Sequence, residues 1–230
     1  MASLPAVADG LLAAGFPRPS SQWLSSLISG VRGSNSTPQT VLLATAKHRL
    51  MLLDLTTPSL FDPSAVSLPP SLSEPAIKER KVAQSVLVQV LAVEDMSKSR
   101  WEQIELIESM ERGEKTKGRE IIRDVPGEEG ENGVRVGAPL VGLKGGPHKL
   151  LLEDWKGQRV YGMEIVGVPK VDLGMSIGTK ILLKGVTVAR GMVLLEPATT
   201  VVLGGKIDAL HEMWIKDRKK ILKEAIEGIH

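Results

Sequence analysis

Four places in this sequence carry residue types that could do chemistry, and each stops short of a working arrangement. His211-Glu212 is half of a zinc-protease helix, but Ile215 stands where His-Glu-x-x-His needs its second histidine. Gly204-Gly205-Lys206 has the glycines and lysine of a phosphate loop, but Ile207 follows where a serine or threonine belongs. Glu128-Glu129-Gly130-Glu131 has the charge of a weak cation site and reads better as solvated loop charge. Lys216, Arg218, Lys219, Lys220 and Lys223 could pair with phosphates, each pairing adding salt-dependent affinity. Asp217, Glu212, Glu224 and Glu227 interleave with them, so a mixed helix face with i,i+4 pairs is the better reading. No Gly-x-Ser-x-Gly elbow occurs. His48, His148, His211 and His230 are scattered and read as surface or rim residues. An enzyme would need a nucleophile–base pair or a metal-ligand spacing, and neither is present. No cofactor and no metal are expected.

Composition narrows the partners. At 230 residues the chain can bury one substantial core or two small ones. A formal charge of +2 gives no strong field toward DNA or an anionic membrane. Zero cysteines exclude disulfides and thiolate metal sites and fit a reducing compartment. No apolar stretch approaches the roughly 18–20 residues that cross a bilayer, so no membrane contact is expected. Met1–Gly15 has no basic residue ahead of its apolar run and reads as a first amphipathic helix, not a signal peptide. Aromatic residues are only 3% of the chain, and single-strand-binding barrels commonly stack bases on aromatic side chains.

The elements that would position any site follow from periodicity. Leu11, Leu12 and Phe16 form an apolar cluster. Ser20-Ser21-Gln22 can cap a helix carrying Trp23, Leu24, Leu27, Ile28 and Val31 on one face. Pro38-Gln39-Thr40 opens a third helix through Leu42, Leu43, Ala46, Leu50 and Leu53. Prolines at 58, 63, 69, 70 and 75 rule out regular helix there and imply an extended connector packed on the bundle. The period then changes to two. Val82, Val86, Val88, Val90 and Ala92 fall on one face of a strand, with Leu87, Leu91 and Val93 on the other, which predicts a strand buried on both sides.

Later segments read as short strands fenced by glycine or proline. They are His148–Glu153, Arg159–Val168, Thr179–Ala189 and Met192–Leu203, with Pro197 breaking or bulging the last. Period two places Lys180, Leu182 and Lys184 outward and Ile181 and Leu183 inward. An ordinary solvated face and a protein-docking patch fit that outward set equally well. Residues 205–229 form a closing helix with Ile207, Leu210, Trp214, Ile221, Ala225 and Ile226 on its apolar side. Between the first two strands lie residues 94–147, far longer than the usual link of about 4–6 residues. Trp101, Ile104, Ile107 and Met110 recur at a helical spacing within it. Glu111 to Gly146 is charged, glycine-rich and aperiodic, and reads equally as a disordered spacer or as a loop that orders on a partner.

These segments carry a resemblance. Gly162-Met163-Glu164, Gly178-Thr179-Lys180-Ile181-Leu182, Leu194-Leu195-Glu196-Pro197 and Val202-Leu203-Gly204-Gly205 with Ile207-Asp208-Ala209-Leu210 resemble the RecQ-mediated genome instability protein 1 family. A weaker likeness covers Pro17, Trp23-Leu24 and Leu27-Ile28, and Val88-Gln89-Val90 with Asp95, Ser97, Gln103 and Ile104. The resemblance implies an α+β chain: a helical bundle with connector at 1–75, then at 76–230 a five-stranded OB-fold barrel with a C-terminal helix. It implies a long insertion between barrel strands 1 and 2, which favours the partner-ordered reading of 94–147. It further implies a non-catalytic scaffold that binds a type IA topoisomerase III directly and works with a RecQ-family helicase. The associated work is decatenation and dissolution of double Holliday junctions, in the nucleus, with DNA contact weak or indirect. On that reading Trp101, Ile104, Ile107 and Met110 anchor the insertion on the topoisomerase, and Lys180, Leu182 and Lys184 form a docking face on the barrel. The alternative function is a single-stranded-DNA-binding OB module.

Overall fold

A strand apolar on both faces needs two cores, and the first strand has them. In the computed structural model, which describes residues 4–30, 38–112, 114–117, 120–123 and 146–228, helices α1 (Leu4–Ala13), α2 (Ser21–Gly30) and α3 (Gln39–Leu52) precede strand β1 (Glu79–Asp95). Helix α4 (Arg100–Glu111) and a two-stranded ribbon, β2 (Glu114–Lys117) with β3 (Glu120–Arg123), follow inside the insertion. Then come β4 (His148–Glu153), β5 (Arg159–Glu164), β6 (Lys180–Ala189), β7 (Met192–Leu195), β8 (Thr200–Gly204) and α5 (Asp208–Glu227). The expected aperiodic stretch after Glu111 therefore contains a short antiparallel ribbon at Glu114–Arg123. Val31 and residues 124–145 lie outside the described residues.

Strand pairing closes the barrel. β1 pairs antiparallel with both β4 and β6, β4 with β5, and β7 with β6, while β5 and β7 run parallel. β8 continues the line of β7 along the first half of β6 after an interruption that contains Pro197. Five strands thus close in the order of an OB barrel. With the N-terminal helices and α5 the chain is α+β.

Inside the barrel lie Val86, Val88 and Val90 of β1 with Leu150, Leu152, Ile181, Leu183, Val193 and Leu195. On the other side of β1, Leu87 joins Leu182 of β6 in a second core. Its other members come from the helices, the loops beside them and the connector, and include Val7, Leu11, Phe16, Leu24, Leu27, Leu42, Ala46, Leu50, Leu60 and Phe61. The bundle uses the barrel's outer face as its floor. β1 departs from simple alternation twice, once between Val82 and Ser85 against β6 and once at Leu91 against β4. The β1–β4 register skips at Leu91, since Val90 faces Leu152 and Ala92 faces Leu151. A bulge reverses which side faces inward. Val93, expected outside, enters the barrel core, and Ala92 does not.

The connector is also part of both cores. Leu60 and Phe61 pack with the bundle, and Leu68 and Leu72 with the barrel. It is stitched to the β4–β5 turn. The Leu68 amide donates to Asp154 Oδ2 at 2.8 Å, Trp155 Nε1 donates to the Val66 carbonyl at 2.9 Å, and Gln158 Nε2 donates to the Leu68 carbonyl at 3.0 Å.

A buried polar network pins bundle to barrel. Gln89 and Lys180 are both fully buried. Gln89 Oε1 accepts from the Leu55 amide at 3.0 Å and from Lys180 Nζ at 3.4 Å. Its Nε2 donates to Asp54 Oδ1 at 2.8 Å and Glu153 Oε2 at 3.0 Å. Lys180 Nζ also donates to the Gly178 carbonyl at 2.7 Å. Burial lowers the Lys180 pKa from 10.5 to about 8, although Asp54 pulls it back up. Two glycines at positive φ let the halves approach. A Cβ on Gly15 would lie 2.3 Å from Leu182, and one on Gly205 would lie 2.4 Å from the Met51 carbonyl oxygen.

Two outcomes follow. Gln89→Leu leaves the Leu55 amide and the Asp54, Glu153 and Lys180 groups short of a partner. At about 1–3 kcal/mol per stranded group, urea unfolding should show a loss of about 3 kcal/mol or more. Lys180 sets a pH dependence. Between pH 8 and 10.5 the unfolded chain keeps the lysine proton that the folded chain has released, so stability rises with pH through this window. The rise should reach roughly 3 kcal/mol, and a denaturation series should lose that increment in Lys180→Met.

Candidate partner-docking surfaces

The insertion leaves and re-enters the barrel through a tied neck. The Met96 amide donates to the Pro147 carbonyl at 2.9 Å. The buried Asp95 Oδ1 accepts from the Ser97 amide at 2.9 Å, the Ser97 hydroxyl at 2.6 Å and the Gly146 amide at 3.2 Å. Burial alone would raise the Asp95 pKa, but these hydrogen bonds, with Lys98 nearby, outweigh it and hold the carboxyl below its ordinary range. Beside the neck, His148 and Glu164 are buried together. Glu164 Oε2 lies 2.6 Å from His148 Nδ1 and accepts from the His148 amide at 2.9 Å, and its Oε1 accepts from the Val168 amide at 2.7 Å. His148 is therefore not the rim residue expected from sequence.

α4 begins with a reciprocal cap. Ser99 Oγ accepts from the Glu102 amide at 3.2 Å, and Glu102 Oε2 accepts from the Ser99 amide at 2.7 Å. That Ser-x-x-Glu signal was readable in the sequence and fixes the helix start. Gln103, buried, folds α4 back on its root by donating to the Asp95 carbonyl at 2.9 Å and the Lys98 carbonyl at 3.1 Å.

The four proposed insertion anchors do not share a surface. Ile104 and Ile107 are buried at 2% and 6% exposure, whereas Trp101 is 61% exposed. The Met110 side chain lies outside the described residues. The expectation that all four reach outward to a partner is corrected for Ile104 and Ile107. α4 lies against α5, so its apolar face is covered by this chain.

The basic run of α5 explains how. Lys219 Nζ lies 2.6 Å from Glu111 Oε2 and 3.5 Å from Glu108 Oε1, and Lys223 Nζ lies 3.3 Å from Glu108 Oε1. Arg100 of α4 adds a bond to the Ala225 carbonyl at 3.4 Å. The expected i,i+4 pairing survives in Lys220–Glu224 at 3.7 Å, but Lys219 and Lys223 bind the insertion helix instead. The Lys223 hydrogen bond lowers the Glu108 pKa, and the Glu111 hydrogen bond raises that of Lys219.

The barrel-face set also divides. Parity is as expected: Ile181 and Leu183 point into the barrel and Leu182 points away. What lies outside is the helical bundle, not solvent. Lys180 and Leu182 are buried at 0% and 4% exposure beneath it, so as a docking patch they are corrected, and only Lys184 remains exposed. Among the barrel's aromatic side chains, Trp155 is occupied by Val66 and by an edge contact to Phe61 at 6.2 Å. Tyr161 is 49% exposed, with Lys149 Nζ 5.5 Å from its ring centre.

Neither Trp23 nor Trp214 is fully buried. Each is partly buried and packed against its core, Trp23 with the bundle and Trp214 with the barrel. Deleting either side chain would cost less than the loss of a core tryptophan.

Comparison with known proteins places this arrangement. Residues 12–58 match the family model for the RMI1 N-terminal helical domain, and residues 68–218 match that for the RMI1 N-terminal OB-fold domain. RecQ-mediated genome instability protein 1 of Schizosaccharomyces pombe is 31% identical over 227 residues, covering 90% of this chain and 89% of that protein. The protein of the same name from Mus musculus is 43% identical over 54 residues, which is 23% of this chain and 9% of the mouse protein. With a two-core fold of helical bundle on OB barrel and these matches along most of its length, the chain belongs to the RecQ-mediated genome instability protein 1 family.

Proposed function

We propose that the chain is a non-catalytic scaffold that binds a type IA topoisomerase III directly, acts beside a RecQ-family helicase in the nucleus, and stimulates decatenation and double-Holliday-junction dissolution. The observation that carries this reading is the long insertion with a firmly tied root between β1 and β4, on a barrel whose β1 and β6 are already partly covered by helices. Such a root can hold an insertion at a partner's moving gate. An insertion that binds the open gate better than the closed one shifts that equilibrium by its differential affinity and by nothing else. Trp101, exposed on α4, is the anchor left for that contact once Ile104 and Ile107 are committed to the fold.

The test separates fold from function. Replacing residues 113–145 by a short Gly/Ser linker keeps α4 in place and should leave thermal unfolding and topoisomerase III binding largely intact. Stimulation of kinetoplast-DNA decatenation should fall sharply. Ile107→Ala should instead destabilise the chain by about 2–5 kcal/mol in urea, as a buried aliphatic truncation does. Full stimulation by the shortened chain would sink the mechanism. Single-strand DNA binding should be no tighter than roughly 10⁻⁴–10⁻⁶ M at physiological salt, the range of non-specific contacts. A nanomolar constant would promote the alternative module.

A further inference from the structure

The contact between α4 and α5 is incomplete. Between them and the barrel lies a cleft of about 110 Å³ walled by Leu106 and Ile107 of α4, Leu173 of the crossover, and Trp214 and Leu222 of α5. Ile221, at the same wall, is 54% exposed. An engineered cavity of about 150 Å³ accepts benzene, so this one is sized for a single aliphatic side chain. Arg218 also lines the cleft. Its guanidinium lies 5.3 Å from the Trp214 ring centre, and its buried Nε has no hydrogen-bond partner among the described residues. Burial pulls the Arg218 pKa down against the distant attraction of Glu111. The acidic residue in the lining, Glu94, is committed elsewhere, to Arg100 at 3.4 Å and Lys149 at 2.5 Å.

A partly buried cation at the wall of an apolar slot is complementary to one kind of occupant. We infer that this cleft docks a peptide segment of a partner protein that offers a leucine-sized aliphatic side chain with a carboxylate beside it. The aliphatic group fills the space between α4 and α5, and the carboxylate pairs with the accessible end of the Arg218 guanidinium in a charge-assisted contact. Bringing both halves together recovers apolar contact and gives the Arg218 cation a counter-charge at once. The occupied cleft would also brace α4, and so the root of the insertion, against α5. This inference stands apart from the topoisomerase reading, because it concerns the α4–α5 side and not the insertion beyond Arg112.

The experiment selects phage-displayed random dodecapeptides against the full chain and measures the enriched peptides by fluorescence polarisation. Enriched sequences should pair an aliphatic residue with Asp or Glu within four positions. Amide-labelled NMR should place their shift changes on Leu106, Ile107, Trp214 and Leu222. Arg218→Gln should weaken binding at least tenfold, and Arg218→Lys should recover part of it. Changing the peptide's carboxylate to its amide should cost the same tenfold on the natural chain and nothing further on Arg218→Gln. That last comparison holds even if the variant is mildly destabilised. No enrichment, peptides without an acidic residue, or equal binding to Arg218→Gln would each overturn the proposal. So would binding that appears only after residues 124–145 are removed, which would make the chain's own insertion the occupant. A dimer in sedimentation that Arg218→Gln dissolves would overturn it as well, in favour of a second copy.

Discussion

The carboxamide of Gln89 is the joint on which the two halves turn. A glutamine side chain offers two acceptor positions and two donors, and here all four are used. Two of the partners, Asp54 and the Leu55 amide, follow α3, and two, Glu153 and Lys180, belong to the barrel. A buried network of this kind is favourable only when complete, because the low dielectric that strengthens each bond also makes any orphan costly. It therefore admits one orientation of bundle on barrel. Around it, Leu87 and Leu182 supply apolar area that has no other cover, and Gly15 and Gly205 remove the Cβ atoms that would hold the surfaces apart. The polar groups set the register of the seam, and the apolar groups supply most of its free energy.

This joint decides which surfaces are left for partners. The outer side of β1 around Leu87 and of β6 around Leu182 is covered by the bundle, and the connector runs over the β4–β5 turn by way of Asp154 and Trp155. Among the described residues, the surfaces left outward include the stretch around Tyr161 and Lys149, the first half of β1 with Lys184, the insertion neck, and the α4–α5 pair. A barrel with one accessible aromatic residue and a near-neutral charge is poorly equipped to stack and hold a single strand, and better equipped to present an insertion.

Much of the fold was legible because strand and helix periods act locally. The β4 limits, the break at Pro197 and the outward parity of Leu182 all follow from alternation and turn residues. Two things were not legible, for a shared reason. Parity says which side of a strand a residue takes, not what covers that side, so Lys180 looked like a surface lysine when it is the most deeply buried cation of the seam. Likewise Ile104 and Ile107 show a helical stripe, but nothing local says that this chain buries both, with Trp214 and Leu222 of α5 across from Ile107. The charges of α5 carried that information in non-local form: Lys219 and Lys223 match Glu111 and Glu108 across more than a hundred residues. The bulge at Leu91 is a third case, because one extra residue in β1 becomes visible only against its β4 partner.

The docking of α4 has a consequence for how an insertion could act on a partner. Exposed ion pairs such as Lys219–Glu111 contribute little each, typically about 0–1 kcal/mol, and salt weakens them. The burial of Ile104, Ile107 and Gln103 is what holds the helix, with the ion pairs selecting its angle on α5. A segment that must order on binding subtracts roughly 1–2 kcal/mol per residue of backbone from its affinity. α4 is already folded on α5 and tied through Asp95 to the barrel, so its residues carry no such cost into a complex. Whatever free energy Trp101 gains against a partner is then available to discriminate between that partner's conformations.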